Sequence, residues 1–273
     1  MRPRLLLAAV LALSACKGMD VSNGKVDWEQ AGSAAADAAE AMSDSPAKEK
    51  ALGRELSANL AARFGLLQDE KATRYLNLVG LSVARKSERG ADGWRFGILD
   101  TAAVNAYAAP GGWVFVTRGL LKRVHNEAEL AGVLAHEIAH VERRHSMKAL
   151  KAGKLLEAGG KAAKAAGAKG SRLSAAAGLL IKLTDKGFSR ADESDADARG
   201  MALAGAAGYA AKGLPDALEK LYGDDHEDKP LAAFGKRHPK LADRKRALDA
   251  ALKTAPEKGV WNPKRFRLGL SSL

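Results

Sequence analysis

Cysteine, aromatic residues and long apolar runs are all scarce in this chain of 273 residues. Its one cysteine, Cys16, excludes an intramolecular disulfide. No apolar run reaches the roughly 20 residues that a membrane-spanning helix requires. Aromatic residues make up 5% of the chain, and few of them lie among its basic residues, so the net charge of +12 does not predict binding to nucleic acid. Anionic lipid or an acidic unfolded polypeptide is the better match for this charge.

The N-terminus carries the features of an export signal. Arg2 and Arg4 precede an apolar run over residues 5–13, which ends in the letters Leu-Ser-Ala-Cys. This pattern predicts a signal peptide over residues 1–15. The four letters resemble the lipobox of bacterial lipoproteins, so we expect Cys16 to become a lipid-modified N-terminus that anchors the protein to a membrane. Ordinary cleavage near the preceding alanine, without lipid, is the alternative.

Composition divides the rest of the chain into three parts. Residues 16–50 are rich in Ala, Ser, Gly and Asp, which predicts a flexible tether behind the lipid. Residues 51–255 are long enough for one domain with a real core, and residues 256–273 are predicted to be a basic tail. Lys17 follows the expected lipid site, which by the sorting rule of some enteric bacteria suggests an outer-membrane anchor facing the periplasm. The expected location is therefore the bacterial cell envelope.

Apolar periodicity predicts helices followed by a small sheet. Residues 47–89 fit two amphipathic helices with a break near residues 65–69. Residues 94–100 alternate like a half-buried strand. Two extended runs within residues 105–117 flank the letters Pro-Gly-Gly, which predicts a β-hairpin.

A longer helix is predicted to follow the hairpin. Asn126 is its cap, Glu129 completes a capping-box pattern, and the helix continues to at least His145. The basic, Ala-rich residues 146–186 predict either a solvated cationic surface or a contact with anionic lipid. Further helices are predicted over residues 188–208, 213–222 and 241–253.

The longer helix contains the letters His-Glu-Ile-Ala-His at residues 136–140. Residues four apart lie on one face of a helix, so His136 and His140 can bind one ion. Two imidazoles suit Zn²⁺, which then needs a third protein ligand and an open position for water. Glu137 follows at once and is placed to act as general base on that water.

A third histidine ligand six residues beyond His140, as in metzincins, is excluded. That position is Ser146, and the glycine that the metzincin motif requires is replaced by Arg143. His145 is one residue out of register and would point about 100° away from the ligand direction. We therefore interpret His145 as a structural or helix-end histidine.

A carboxylate from a later helix is the remaining candidate for the third ligand. Glu193 and Asp197 lie four residues apart, so they share one helix face. In the gluzincin arrangement Glu193 would bind zinc, and Asp197 would hold the second ring nitrogen of a ligand histidine. Asp192 and Asp195 are interpreted as solvated acidic residues.

Four separated motifs follow one another along the chain: the letters of residues 105–108 and 110–120, those of residues 136–145, Ser189-Arg190 with Glu193 and Asp197, and His238-Pro239. In this order they resemble the M48 family of zinc metallopeptidases, in particular its soluble, lipoprotein-type branch. The resemblance covers about residues 50–250.

The resemblance implies a zincin-like α+β fold, mostly helical, with a small sheet or hairpin beside the active-site helix. One edge of that sheet would bind unfolded or extended polypeptide substrates through the backbone. The hairpin strand containing Asn105, Ala106, Tyr107 and Ala108 is the expected substrate-binding edge.

The resemblance also implies a zinc-dependent endopeptidase with one Zn²⁺ per chain and a role in envelope protein quality control. Glu137 would take a proton from water and return it to the leaving amine. His238 would either stabilise the oxyanion or occupy the open position on zinc as an inhibitory ligand. A chaperone-like assembly factor with latent or structural zinc is the alternative function, and a lipid-anchored interaction protein without metal is another.

Overall fold

The computed structural model describes residues 45–151, 187–222, 241–254 and 258–273. The predicted signal peptide, the lipid site Cys16, almost all of the predicted tether and the catalytic candidate His238 lie outside these residues. So does most of the basic segment over residues 146–186. The predictions for these parts of the chain therefore remain predictions.

Two helices open the described chain, as the periodicity predicted. Helix α1 spans Pro46–Phe64 and helix α2 spans Glu70–Ala84. Gly65 ends α1 with a φ of 74°, a conformation that glycine adopts without steric cost. Asp69 caps α2, since its side chain accepts a hydrogen bond from the backbone N–H of Ala72 at 2.9 Å.

A three-stranded sheet follows, with strands β1 (Arg95–Leu99), β2 (Ala106–Ala109) and β3 (Trp113–Thr117). The order is β1-β3-β2, with β1 parallel and β2 antiparallel to β3. The predicted strand and hairpin are confirmed, and the turn uses Gly111 and Gly112 at φ 78° and 95°. One face of the sheet packs on the main core and the other packs on α1.

The short helix α3 (Arg118–Leu121) leads into the central helix α4 (Glu127–Glu142), all of whose residues are buried. The predicted cap of α4 is confirmed. Asn126 accepts from the backbone N–H of Glu129 at 3.0 Å, while the Glu129 carboxylate accepts from the backbone N–H of His125 at 2.7 Å.

The prediction that this helix continues to at least His145 was wrong. Helix α4 ends at Glu142, and a new helical segment begins at residue 145. Arg144 takes a left-handed φ of 56° at the break, where its guanidinium lies 3.2 Å from the buried Glu49 carboxylate. The sequence has no glycine or proline at this break, so it gave no signal of one. The break is stabilised instead by the contact with Glu49 on α1.

The remaining helices cover α4. Helix α5 spans Arg190–Ala206, α6 spans Gly213–Tyr222, α7 spans Leu241–Thr254 and α8 spans Pro263–Gly269. The three predicted helices in this part of the chain are confirmed. Helix α5 packs most extensively on α4, which also contacts α6, α2 and β2. Within residues 258–273, set apart as a tail by composition, α8 packs on α2 and α4 and buries Phe266.

The predicted fold class is confirmed: the domain is α+β and mostly helical, with a small sheet beside α4. In the described ranges, none of the helices combines the length and apolar character needed to cross a bilayer.

Candidate metal centre

His136 and His140 lie one turn apart on α4 and face each other. Their Nε2 atoms are 3.0 Å apart. Only 4% of His136 and 1% of His140 is exposed, so both imidazoles are largely removed from water. The spacing of four residues thus produces the convergence that the motif predicted.

Glu193 approaches this pair from α5. Its two carboxylate oxygens each lie 3.6 Å from an imidazole Nε2, Oε2 from that of His136 and Oε1 from that of His140. Donors held at about 2.0–2.1 Å from one tetrahedral cation are about 3.3 Å apart. The separations of 3.0 and 3.6 Å bracket this value, so the three side chains fit one divalent cation.

A glycine on α5 allows the close approach of the two helices. A Cβ at Gly200 would lie 2.9 Å from the backbone nitrogen of His136 and 3.0 Å from its Cα. At the start of the same helix, Ser189 accepts a hydrogen bond from the backbone N–H of Asp192 at 3.1 Å. The cap and the glycine together set where Glu193 lies relative to α4.

Asp197 lies one turn after Glu193 and contacts the far side of His136. Its Oδ1 is 3.0 Å from Nδ1 of that histidine. Burial alone would raise the pKa of Asp197, but the hydrogen bonds from Arg244 and the proximity of His136 outweigh it and lower the pKa. The carboxylate therefore stays ionised at neutral pH, in the place where the prediction requires a partner for a ligand histidine.

Comparison with known proteins agrees with this geometry. The sequence profile of peptidase family M48 matches residues 70–252. The chain belongs to peptidase family M48. It is therefore a member of a metallopeptidase family, and the predicted resemblance is confirmed.

Three relatives show how far the M48 similarity extends. The chain is 28% identical over 188 residues to the beta-barrel assembly-enhancing protease of Yersinia pestis, which covers 64% of this chain and 37% of that protein. It is 28% identical over 221 residues to metalloprotease YcaL of Escherichia coli K12, which covers 80% of this chain and 85% of that protein. It is also 30% identical over 168 residues to the mitochondrial metalloendopeptidase OMA1 of Schizosaccharomyces pombe, and this match covers 60% of this chain and 48% of that protein. The chain thus spans about a third of the length of the beta-barrel assembly-enhancing protease it matches.

Sequence reasoning missed one buried residue of this M48 centre, Arg244 on α7. Its Nη1 lies 3.6 Å from the Glu193 carboxylate and donates to the Tyr222 hydroxyl at 3.3 Å. Burial alone would lower the pKa of Arg244, but the hydrogen bond and charge of Asp197 raise it above its ordinary value. The one sequence signal was that Arg244 lies four residues before Leu248, which indicates that both side chains occupy the same, buried face of α7.

His145 is also part of the surroundings of the M48 centre. Its Nδ1 is 2.9 Å from Nδ1 of His140. Burial lowers the pKa of His145, while the charge of Asp192 acts in the opposite direction. The ring of Phe188 stacks on that of His140 with 4.4 Å between their centroids. The break after α4 therefore brings His145 against His140, and the segment before α5 brings the ring of Phe188 against the same residue.

The four residues predicted to bind substrate lie at the edge of the sheet that contacts α4. Ala106, Tyr107 and Ala108 belong to β2, and Asn105 precedes it. All four are buried. The Asn105 side-chain oxygen makes no hydrogen bond within the described part of the chain. Its backbone is held by Thr117, whose N–H donates to the Asn105 carbonyl at 3.0 Å.

Proposed function

We propose that this M48 chain is a zinc-dependent endopeptidase of the bacterial cell envelope that acts in protein quality control. The observation that carries the proposal is the convergence of His136, His140 and Glu193 in a buried centre, with Glu137 next to the first ligand. A purely structural zinc site is closed by four protein ligands and needs no general base. Three protein donors beside a buried carboxylate favour a catalytic centre instead.

Zinc is the cation that this donor set favours. Two imidazole nitrogens and one carboxylate oxygen form the ligand set of many catalytic zinc sites. When bound, zinc supplies a Lewis acid that lowers the pKa of a water and polarises the scissile carbonyl. Asp197 keeps the proton of His136 on Nδ1, so that Nε2 presents its lone pair to the cation.

Glu137 is the proposed general base. It is only 4% exposed, and it follows His136 directly on α4. A buried carboxylate can accept the proton of the attacking water and later transfer it to the leaving amine. His238 is proposed to stabilise the oxyanion. Its alternative role is that of an inhibitory ligand on the open metal position, and the variant His238→Ala described below tests this role.

The outer edge of β2 is the proposed binding surface for an extended polypeptide. Hydrogen bonds alternate along an antiparallel pair, and Thr117 donates to Asn105. The backbone groups of Asn105 and Ala109 therefore face β3, while those of Ala106 and Ala108 face the outer edge. No strand of the described residues pairs with that edge. Backbone pairing there binds unfolded chains with little demand on their sequence.

The location and the cellular role depend on the N-terminal sequence and on the relatives. We propose that Cys16 carries the lipid and that residues 16–50 tether the domain to the outer membrane, facing the periplasm. Two relatives are named for proteolysis that enhances beta-barrel assembly. An unfolded envelope protein is accordingly the proposed substrate, and contact with anionic lipid is proposed for the basic segment.

The test combines zinc content with cleavage of unfolded casein by the full chain. We expect one zinc per chain and cleavage in the parent protein. Glu137→Gln should retain zinc and lose cleavage by at least about 100-fold, since general base catalysis contributes that much or more. Glu88→Gln makes the same change at an exposed carboxylate and should leave both unchanged.

Two other results would redirect the proposal. Zinc without cleavage in the parent protein would favour the chaperone-like assembly factor with latent metal, and His238→Ala would then show whether that histidine blocks the open position. Absence of zinc from the parent protein, prepared without chelators, would contradict the metal centre itself.

A further inference from the structure

His145 lies between a proposed metal ligand and two carboxylates. Its Nδ1 is 2.9 Å from Nδ1 of His140. Its Nε2 is 3.5 Å from Oδ1 of Asp192 and 3.4 Å from Oδ2 of Asp195. The side chain is only 1% exposed, so protein groups surround both ring nitrogens.

Hydrogen-bond chemistry fixes the proton positions along this chain of groups. A neutral imidazole has one donor nitrogen and one acceptor nitrogen. If His140 presents the lone pair of Nε2 to a cation, its proton is on Nδ1 and points at Nδ1 of His145. His145 must then be the acceptor at that atom. Its own proton is consequently on Nε2, facing the two carboxylates.

We propose that His145 is a positioning residue that holds His140 in the tautomer and ring orientation needed to bind the cation. Asp192 and Asp195 hold His145 in turn through its Nε2–H. The inference rests on the metal centre of the proposed function and adds a residue that the ligand motif does not contain. Outer partners of this kind orient a ligand ring and raise its affinity for metal.

The backbone break after α4 is what makes the contact. On a continuous helix, a residue five positions after His140 would point about 140° away from it. Arg144 takes its left-handed φ of 56° at this point, and the chain turns so that the two rings meet. A strained non-glycine residue persists only where its surroundings hold it, and here the Glu49 carboxylate contacts its guanidinium.

The two ligand histidines are therefore supported differently. His136 contacts the buried, ionised Asp197, which places negative charge beside its ring. His140 contacts a neutral imidazole, which fixes the tautomer but adds no charge. A histidine that only fills space in the core would give neither a defined tautomer nor an effect on metal affinity, so the two interpretations are separable.

Zinc affinity is the first measurement, made on the full chain by competition with a chromogenic chelator. His145→Ala should weaken zinc binding about 10–100-fold, the usual effect of removing such a partner. His145→Asn keeps an acceptor oxygen close to the position of Nδ1 and should recover most of the affinity. His125→Ala removes an exposed histidine and should bind zinc like the parent protein.

The second measurement reads the tautomers directly. Nitrogen chemical shifts of the zinc-loaded protein should show His140 protonated at Nδ1 and His145 protonated at Nε2. If His145 is instead protonated at Nδ1, or at both nitrogens, it cannot accept from His140, and the inference is wrong. Equal zinc affinity of the parent protein and a folded His145→Ala variant would overturn it as well.

A double variant covers the case in which His145→Ala does not fold. Asp192→Asn with Asp195→Asn keeps both imidazoles, so it should fold, bind zinc several-fold more weakly and show mixed tautomers at His145. Parent-like affinity and a single tautomer would contradict the role given to the carboxylates. Absence of zinc from the parent protein would instead contradict the proposed function, so the two failures are distinguishable.

Discussion

Arg244 donates hydrogen bonds to both carboxylate oxygens of Asp197, from Nε at 2.8 Å and from Nη2. Both side chains are fully buried, and they join α7 to α5. Because Asp197 also contacts His136, a guanidinium, a carboxylate and an imidazole form one line that ends at the metal centre. The charge that keeps Asp197 ionised thus comes from a helix that contributes no metal ligand.

Replacing Arg244 by methionine should destabilise the domain strongly. Methionine fills similar space but leaves the Asp197 carboxylate buried without its partner, which costs about 3–5 kcal/mol. Urea unfolding of the metal-free protein measures the loss. Zinc affinity should also fall, because Asp197 would no longer be fixed beside His136.

Arg246→Met provides the control on the same helix. That residue is exposed, so its loss should change the free energy of unfolding by no more than about 0.5 kcal/mol. Equal stability of the two methionine variants would show that the buried ion pair contributes little.

Local patterns were sufficient to predict most of the fold and the three residues that converge at the candidate metal centre. The cap Asn126, the Pro-Gly-Gly turn and the spacing of four between His136 and His140 each describe residues close in the sequence. Glu193 could be predicted together with Asp197, because the two residues share one face of a helix. In each case the sequence signal lies within one element or one turn, even where the contact that follows joins two helices.

The residues that sequence reasoning missed depend on contacts between distant elements. The spacing of four to Leu248 indicates only that Arg244 faces the core, and nothing in the sequence says that it meets a carboxylate 47 positions earlier. The break at Arg144 rests on Glu49, which lies on the first described helix. The orientation of His145 follows from that break, so a continuous helix was the reasonable but incorrect expectation.

Gly200→Ala should weaken both stability and metal binding. The added methyl would lie 2.9 Å from the His136 backbone nitrogen, so α5 must shift away from α4. Overpacking of this kind costs about 1–3 kcal/mol, against a gain in helix propensity of up to about 1 kcal/mol. Chelator competition and urea unfolding measure the two effects. Ala202→Ser adds one atom at an exposed position of α5 and should change neither, whereas a more stable Gly200→Ala variant with unchanged zinc affinity would contradict the close packing.

Acid should weaken the attachment of α8 through Glu127. Its buried carboxylate accepts from the Tyr75 hydroxyl at 2.9 Å and from the Arg265 guanidinium. Burial alone would raise the pKa of Glu127, but these hydrogen bonds outweigh it and lower the pKa below its ordinary 4.5. The unfolded chain therefore binds the proton first. The stabilisation is present above about pH 4.5 and is lost as the pH falls through the lower pKa of the folded protein.

Glu127→Gln tests this acid dependence. The metal-free variant should lose about 1–3 kcal/mol at neutral pH, because the hydrogen bonds to a charged acceptor are weakened. Its free energy of unfolding should then fall less steeply than that of the parent protein below about pH 4.5. Glu70→Gln, at an exposed carboxylate, serves as the control. If the free energy of unfolding depends on pH in the same way for the parent protein and Glu127→Gln, this carboxylate has the same pKa in the folded and the unfolded chain.

Proline substitution separates the two edges of β2. Ala108→Pro removes an N–H that faces the outer edge, where proline is tolerated, so folding and zinc content should be retained. Cleavage of unfolded casein should fall mainly through a higher KM, because an extended substrate loses a backbone partner. Ala109→Pro makes the same change at an N–H that faces β3 and should instead lower the temperature of unfolding. If Ala108→Pro cleaves with the KM of the parent protein while Ala109→Pro is destabilised, the substrate does not pair with this edge.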